Sequence, residues 1–502
     1  MRKSTKVVAI VAAAALLALG AALTSFAAGW TQEDGVWVYL DKDGERVTEQ
    51  WQKSVDGSWY YLDDNGEMAV DRLIEGDNTY YVDETGKMVT NAWKLIMLEN
   101  EEEERWFYFG SSGKANKAAG KWYTINDKKY AFDGDGKMLY GWIGEDFGMI
   151  SDDDGTAYQT GMYYCGDAND GARLSSAWIQ LTVTDNESAT DTSRWFYFGS
   201  NGKKVADKVN YKINGQKYTF DTEGVMKSGW TSTPDDTDIK NYNYHKGAAD
   251  GSLQTGWFRK TAPSALNGGD EDTNHWYYAA GSGALKKMEL AKINGKFYAF
   301  NDKGEMLAGL YKLEFTAPTE NSLKTITPIS KWDDDFSAKE FATASNADKK
   351  DGYYFFGDEE TDGSMKTGSV SVTVDDSTKT MLLSTGGYKG AAVSGIKSNA
   401  YYKNGVKIKA DADEKYAIYY NDGTKYALKT PAEVLALEGK EHEVVKDSKG
   451  NVIGQGVQSG LAKEYLVLSA SGAVVKTGTK KTGSEYKLVF KGNKLDGVWM
   501  PY

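Results

Sequence analysis

The stretch that decides the fold is Trp51-Gln52-Lys53-Ser54-Val55-Asp56-Gly57-Ser58-Trp59-Tyr60-Tyr61-Leu62-Asp63-Asp64-Asn65-Gly66. Aromatic and polar positions alternate along it, and Gly-containing pairs punctuate the runs. Alternation places every second side chain on one face of a strand. Asp-Gly and Asn-Gly pairs supply the positive φ angles that tight hairpin turns require. The stretch therefore reads as one β-hairpin with an aromatic side. Alone, such a hairpin is barely stable in water.

The pattern recurs on both sides. Gly29-Trp30 is followed, six residues on, by Trp37-Val38-Tyr39 and then by Asp43-Gly44. Leu73 leads to Tyr80-Tyr81 and Thr85-Gly86, and Trp93 opens a further copy. Hairpins of this size bury their aromatic stripe only by stacking on neighbours. The expected fold is thus all-β, a solenoid of stacked β-hairpin repeats of about 20 residues each. A longer period is laid over the short one. Ile125 to Trp142 recurs as Ile213 to Trp230 and as Ile293 to Leu310, while Arg105 to Gly110 recurs as Arg194 to Gly199, at offsets of 80 to 89 residues. Acidic inserts at 99–104 and 185–193 occupy matching places and read as solvated loop tips.

After Tyr311 the pattern fades. Residues 312–350, with Pro318, Pro328 and the run Asp333-Asp334-Asp335, read as a linker or long loop. Residues 351–502 keep strand-turn units such as Tyr401-Tyr402-Lys403-Asn404-Gly405 without the Trp partners, and read as degenerate repeats or a β-rich C-terminal module. A short helix is expected over 431–445. Residues 28–311 form the repeat array.

Composition agrees with a binding role. The 502 residues include 15 Trp, 33 Tyr, 17 Phe and 55 Gly with 6 Pro, which suits short strands joined by Gly turns. A net charge of −13 argues against nucleic acid as a partner, because phosphate contacts need clustered Lys and Arg. One Cys excludes an intrachain disulfide framework, and three His leave little material for metal or His-based catalysis. At the start, Arg2, Lys3 and Lys6 precede an apolar run from Val7 to Leu23 and the small residues of Ser25-Phe26-Ala27. That layout predicts a signal peptide over 1–27, hence an exported product with no membrane span after its removal.

Gly-Trp, six or seven residues, Trp-Tyr-Tyr and a Gly turn at this period resemble the choline-binding or cell-wall-binding repeat of Gram-positive surface proteins, which is similar to glucan-binding repeats. The likeness is specific over 29–93, stretched over 93–311 and weak over 312–502. The resemblance implies ligand sites between consecutive hairpins, each an aromatic cage for a trimethylammonium group. Carried onto this sequence, it points to Trp30, Trp37, Trp51, Trp59 and Tyr61, and in second place to Trp142, Trp230 and Trp257. It further implies a partner that is cell-wall teichoic acid or polysaccharide, and a product retained at the bacterial surface.

Other chemistry is poorly supplied. Tyr163-Tyr164-Cys165-Gly166 corresponds to Tyr244-His245-Lys246 about 80 residues on, so Cys165 reads as structural filling and not as a nucleophile. His245, His275 and His442 lack metal-ligand spacing, and the acidic clusters lack the calcium-loop pattern. The expectation is a non-enzymatic protein without cofactor or metal. Two other readings share the sequence: an adhesin for host glycan or glucan, and a wall hydrolase with its catalytic module in 312–502.

Overall fold

A computed structural model describes residues 28–502 except 99–100, 118–119, 185–190, 233–235, 269, 271, 333–339, 343–349 and 361. The leader expected over 1–27 lies outside the described residues, as does part of the 185–193 insert. Among the described residues, no helix is long and apolar enough to cross a membrane. The fold is all-β, with a single short α-helix, Pro431–Leu437, among the described residues. The chain divides into two compact units. One runs up to Ser228 and includes Gly247–Ser252; the other comprises Gly229–Lys246 and Leu253–Tyr502.

The first unit is a succession of small antiparallel sheets, nearly all two-stranded. Gly29–Glu33 pairs with Val36–Leu40, Gln50–Lys53 with Trp59–Leu62, and Arg72–Ile74 with Tyr80–Val82. Further along, Ala92–Met97 pairs with Glu104–Phe109, and Ala177–Thr184 with Asp191–Phe198. The inserts therefore lengthen hairpin arms and leave the pairing intact. The core is correspondingly divided into small clusters, such as Ile125, Tyr130, Phe132 and Met138 packed with Trp93, Trp106 and Tyr108.

One backbone hydrogen bond sets the register between neighbouring hairpins. After its Gly turn, most hairpins of the array send one N–H back to a carbonyl of the hairpin before it. Met68 donates to Trp37 at 2.8 Å, Met88 to Trp59 at 2.8 Å, Met138 to Trp106 at 2.8 Å and Met226 to Trp195 at 2.9 Å. The Gly turn of the following hairpin then sits directly on that Met. Gly86 has φ +83° and a Cβ built there would lie 2.7 Å from Met68 Cε; Gly113, at φ +77°, meets Met88 Sδ at 2.6 Å. Gly171 and Gly251 stand in the same way on Met138 and Met226. Glycine is required twice over, by the left-handed backbone and by the close approach.

In the second unit, the pairs Gly229–Thr231 with Asn243–His245, Gly256–Thr261 with Asn274–Ala279 and Glu289–Ile293 with Lys296–Phe300 continue the hairpins. Larger sheets follow. The segment expected to be a linker is a correction. Gly309–Phe315 is the central strand between Leu323–Pro328 and Gly352–Phe356, and Glu340–Ala342 pairs with Lys425–Lys429. Its apolar positions outweigh the proline signals: Leu313, Phe315 and Leu323 are buried in one core cluster, and Pro328 stands only at the strand end. The helix is shorter than expected. Thr430 and Glu433 form a capping box at its start, and Gly439, at φ +67°, follows its end. It packs with the sheet Val444–Lys446, Val452–Val457, Lys494–Pro501, Lys487–Lys491 and Gly478–Lys481 around Val434, Leu488 and Val498.

Gly86→Ala is expected to destabilise its junction by about 1–2 kcal/mol through the left-handed backbone alone. Hydrogen exchange will show faster opening of residues 79–88, and Met68→Ala will restore only the part due to crowding.

Candidate functional site

The candidate sites are the hairpin junctions. Within one hairpin, the leading Trp stands opposite a Tyr, and a second Trp precedes that Tyr by two residues. Trp178 faces Tyr197, and Trp195 shares the face of Tyr197 because strand side chains alternate. The next hairpin contributes Tyr218, and its returning strand contributes Met226. Trp178 meets Trp195 edge to face at 6.4 Å and 83°, and Tyr218 at 4.9 Å and 63°. These residues line an open cleft of about 410 Å³ together with Ala249 and Asp250. Burial raises the Tyr218 phenol, and the negative charge of Asp250 adds to the shift.

The same set recurs. Trp93 meets Trp106 at 6.4 Å and Tyr130 at 4.9 Å, with Met138 beneath. Trp257 meets Trp276 at 6.3 Å and Tyr298 at 4.8 Å, with Met306 beside them. Nearer the start, Trp51 packs on Tyr80 at 5.1 Å, with Trp59 and Met88 joined by the register bond. Trp30 packs on Tyr60 at 5.4 Å, with Trp37 and Met68 joined likewise. Five junctions thus carry two Trp, a Tyr from the next hairpin and a Met.

Five of the expected residues, Trp30, Trp37, Trp51, Trp59 and Trp257, fall in these junctions. Tyr61 backs Trp51 across the strand pair at 5.2 Å. Trp142 is a correction, because its junction is filled from within, and Trp230 stands outside these five junctions. Trp142 is 1 % exposed, packed against Tyr158, Phe196 and Phe198. Trp230 spends its indole N–H on the Thr261 carbonyl at 2.9 Å and packs on the buried Tyr277. Sequence reasoning missed Tyr60, Tyr80, Trp93, Trp106, Tyr130, Trp178, Trp195, Tyr218, Trp276 and Tyr298. The available signal was Trp two residues before Tyr on the second strand, which fixes the face whatever the length of the insert.

Two other junctions hold a cation belonging to the chain itself. Lys204 replaces the Met: its N–H makes the register bond to Met162, and its ammonium lies 5.4 Å from the Trp142 ring centroid while bonded to the Tyr158 carbonyl. Arg173 makes the register bond to Lys129, and its guanidinium lies 4.7 Å from the Trp122 ring and 6.0 Å from that of Tyr163. Cys165 is fully buried, and burial pushes its thiol up to about 12, the opposite of a nucleophile's tuning.

With this geometry established, comparison with known proteins is informative. The sequence model of the choline-binding repeat matches residues 27–73 and 47–93, so this segment carries choline-binding repeats. Glucosyltransferase-S of Streptococcus mutans is 30% identical over 261 residues, 48% of this chain and 15% of that protein. Glucosyltransferase-I of Streptococcus downei is 26% identical over 54% of this chain and 16% of its own length. The chain thus spans about one sixth of the curated relatives it matches. Among solved structures, choline-binding protein F of Streptococcus pneumoniae is 22% identical over 73% of this chain and 98% of its own, with a TM-score of 0.30. The modular autolysin LytC of the same species is 20% identical over 56% and 54%, with a TM-score of 0.34.

Burial depresses the Lys204 ammonium to about 8, against 10.5 for a free lysine. Between those values the unfolded chain binds more protons than the folded one, so stability rises with pH across the window. Lys204→Met is expected to remove that slope, read as the pH dependence of the difference between wild-type and variant unfolding midpoints.

Proposed function

We propose that this chain, carrying choline-binding repeats at 27–93 and the same four-residue junction three times beyond them, is an exported, non-enzymatic protein that docks on a choline-bearing wall polymer. The observation that carries the reading is the recurring cage of two Trp, one Tyr and one Met, at a place where two sister junctions hold Lys204 and Arg173 against aromatic rings. A quaternary ammonium donates no strong hydrogen bond, so the negative faces of Trp and Tyr are its natural receptor. The carboxylate of Asp250 at the mouth of the Trp178 cleft further favours a cation over a neutral ligand.

Each cation–π contact is worth about 0.5–2 kcal/mol, so one shallow cage binds weakly. Several cages meeting a repetitive polymer gain by avidity. We infer that the register bond stacks the hairpins as turns of a solenoid, presenting the cages in series. The product is then held at the bacterial surface without a covalent link. A second reading, a glucan or host-glycan binder on the same hairpins, is supported by the alignment to two glucosyltransferases, since aromatic platforms also suit the apolar faces of sugar rings.

Tryptophan-fluorescence titration of the whole chain with choline, with dextran in parallel, separates these readings. The expected result is a saturable change with choline. Trp195→Ala should reduce its amplitude and weaken that one site roughly 3- to 30-fold, the loss of one ring. Saturation with dextran alone would transfer the protein to the glucan reading. Silence with both would reject docking through these junctions.

A further inference from the structure

The second unit contains a different kind of cleft, far in sequence from the aromatic cages. It has a volume of about 710 Å³ and is walled by the sheet that includes Ser377–Leu383, Ala400–Lys403 and Val406–Lys407. Lys379, Lys407 and Lys409 line it, with the hydroxyl-bearing Ser369, Thr378 and Thr380 among their neighbours, and no Asp or Glu does. In a chain of net charge −13, a cleft lined by Lys407 and Lys409 and by no carboxylate is a local reversal of sign.

The lysines are held in place by packing. The Gly472 turn, at φ +77°, stands on the Lys407 stem so closely that a Cβ there would lie 2.6 Å from Lys407 Cδ. The Lys379 ammonium lies 5.0 Å from the Trp332 ring, whose indole N–H donates to the Ser377 carbonyl at 2.7 Å. Among the described residues, neither Lys407 nor Lys409 forms an ion pair with a carboxylate. Lys379 shares its face of the strand with the buried Met381 and Leu383, so Lys407 and Lys409 are the two like charges of the cleft, and they repel one another unless an anion lies between them.

We propose that this cleft binds the anionic backbone of a hydroxylated polymer, a phosphodiester-linked polyol or sugar chain. Lysine offers a compact charge with three donors, suited to the non-bridging oxygens of a phosphate, and the planar fork of Arg that pairs with carboxylates is absent from the lining. Ser and Thr hydroxyls add donors and acceptors for polyol or sugar hydroxyls. The choice of polymer rests on the wall-docking reading, while the anion site rests on the cleft alone. The two clefts divide the chemistry of one ligand: aromatic rings for its quaternary ammonium groups, lysines for its phosphodiesters.

The test is calorimetric titration of the whole chain with poly(glycerol phosphate), with inorganic phosphate and polygalacturonate as parallel probes. The comparison protein is the double variant Lys407→Gln, Lys409→Gln. The wild type should bind poly(glycerol phosphate), more weakly at raised salt. The double variant should lose about tenfold or more in affinity while its choline response stays unchanged. No binding of poly(glycerol phosphate), or equal binding by the double variant, would overturn the proposal. Equally tight binding of polygalacturonate, or binding of inorganic phosphate alone, would overturn the assignment to a phosphodiester polymer. Lysine-dependent binding without any choline response would sustain this site and reject the cages instead.

Discussion

The architecture depends on one hydrogen bond repeated along the hairpins: an N–H just past the Gly turn, given to a carbonyl one hairpin back. Two-stranded sheets with strands of three to eight residues have too little area to hold themselves together. The bond fixes each sheet against its predecessor, and the Gly turn that follows closes over the same residue. Met is well suited to that place. It is long enough to reach the aromatic rings and flexible enough to fill the irregular space beneath a glycine. The register bond, the positive-φ Gly and the Met are therefore three expressions of one contact, and the cages are its consequence. An aromatic ring from one hairpin meets those of another only because this contact holds them at a constant offset.

The junctions also show how the same frame closes itself. Where the second ring is Trp, as at Trp106, Trp195 and Trp276, the junction stays half-open. Met162 takes that position beneath Trp142, and Lys204 takes the Met position, so the ring is covered by the chain's own residues and the chain's own cation. At Trp122 the guanidinium of Arg173 does the same. A difference of one or two side chains thus converts a half-open junction into a self-filled joint, with the backbone register preserved in both.

Much of this was legible in the sequence, and the limits have physical causes. The hairpins over 29–93 were readable because alternation, turn pairs and a short period agree. The cage at Trp178 was not found, because candidates were carried over by the Gly-Trp pair and the short spacing, and Trp178 follows Ala177 with a solvated insert before Trp195. Face is set by strand parity, and the insert at 185–193 changes the length of the arms without changing parity. Trp142 and Trp230 each follow a Gly as the cage residues do, but what covers them comes from residues distant in sequence, Tyr158, Phe196 and Thr261. Residues 312–350 looked like a linker because Pro and Asp are strong local signals, whereas the burial of Leu313, Phe315 and Leu323 is a tertiary fact. The lysine cleft had no local signature, since the strand carrying Thr378 and Thr380 meets the segment carrying Lys407 and Lys409 only through sheet pairing.

The register bond reaches back by a single hairpin. A gene segment encoding whole hairpins can therefore be duplicated or deleted by recombination, and the new neighbours will find the same partner carbonyl and the same glycine. From Trp93 onward a Trp-Trp-Tyr-Met junction returns after 79 to 89 residues, so the exchange of one such block changes the number of half-open junctions by one. The number of such junctions in this architecture is a heritable count, adjustable in steps without redesign of a core.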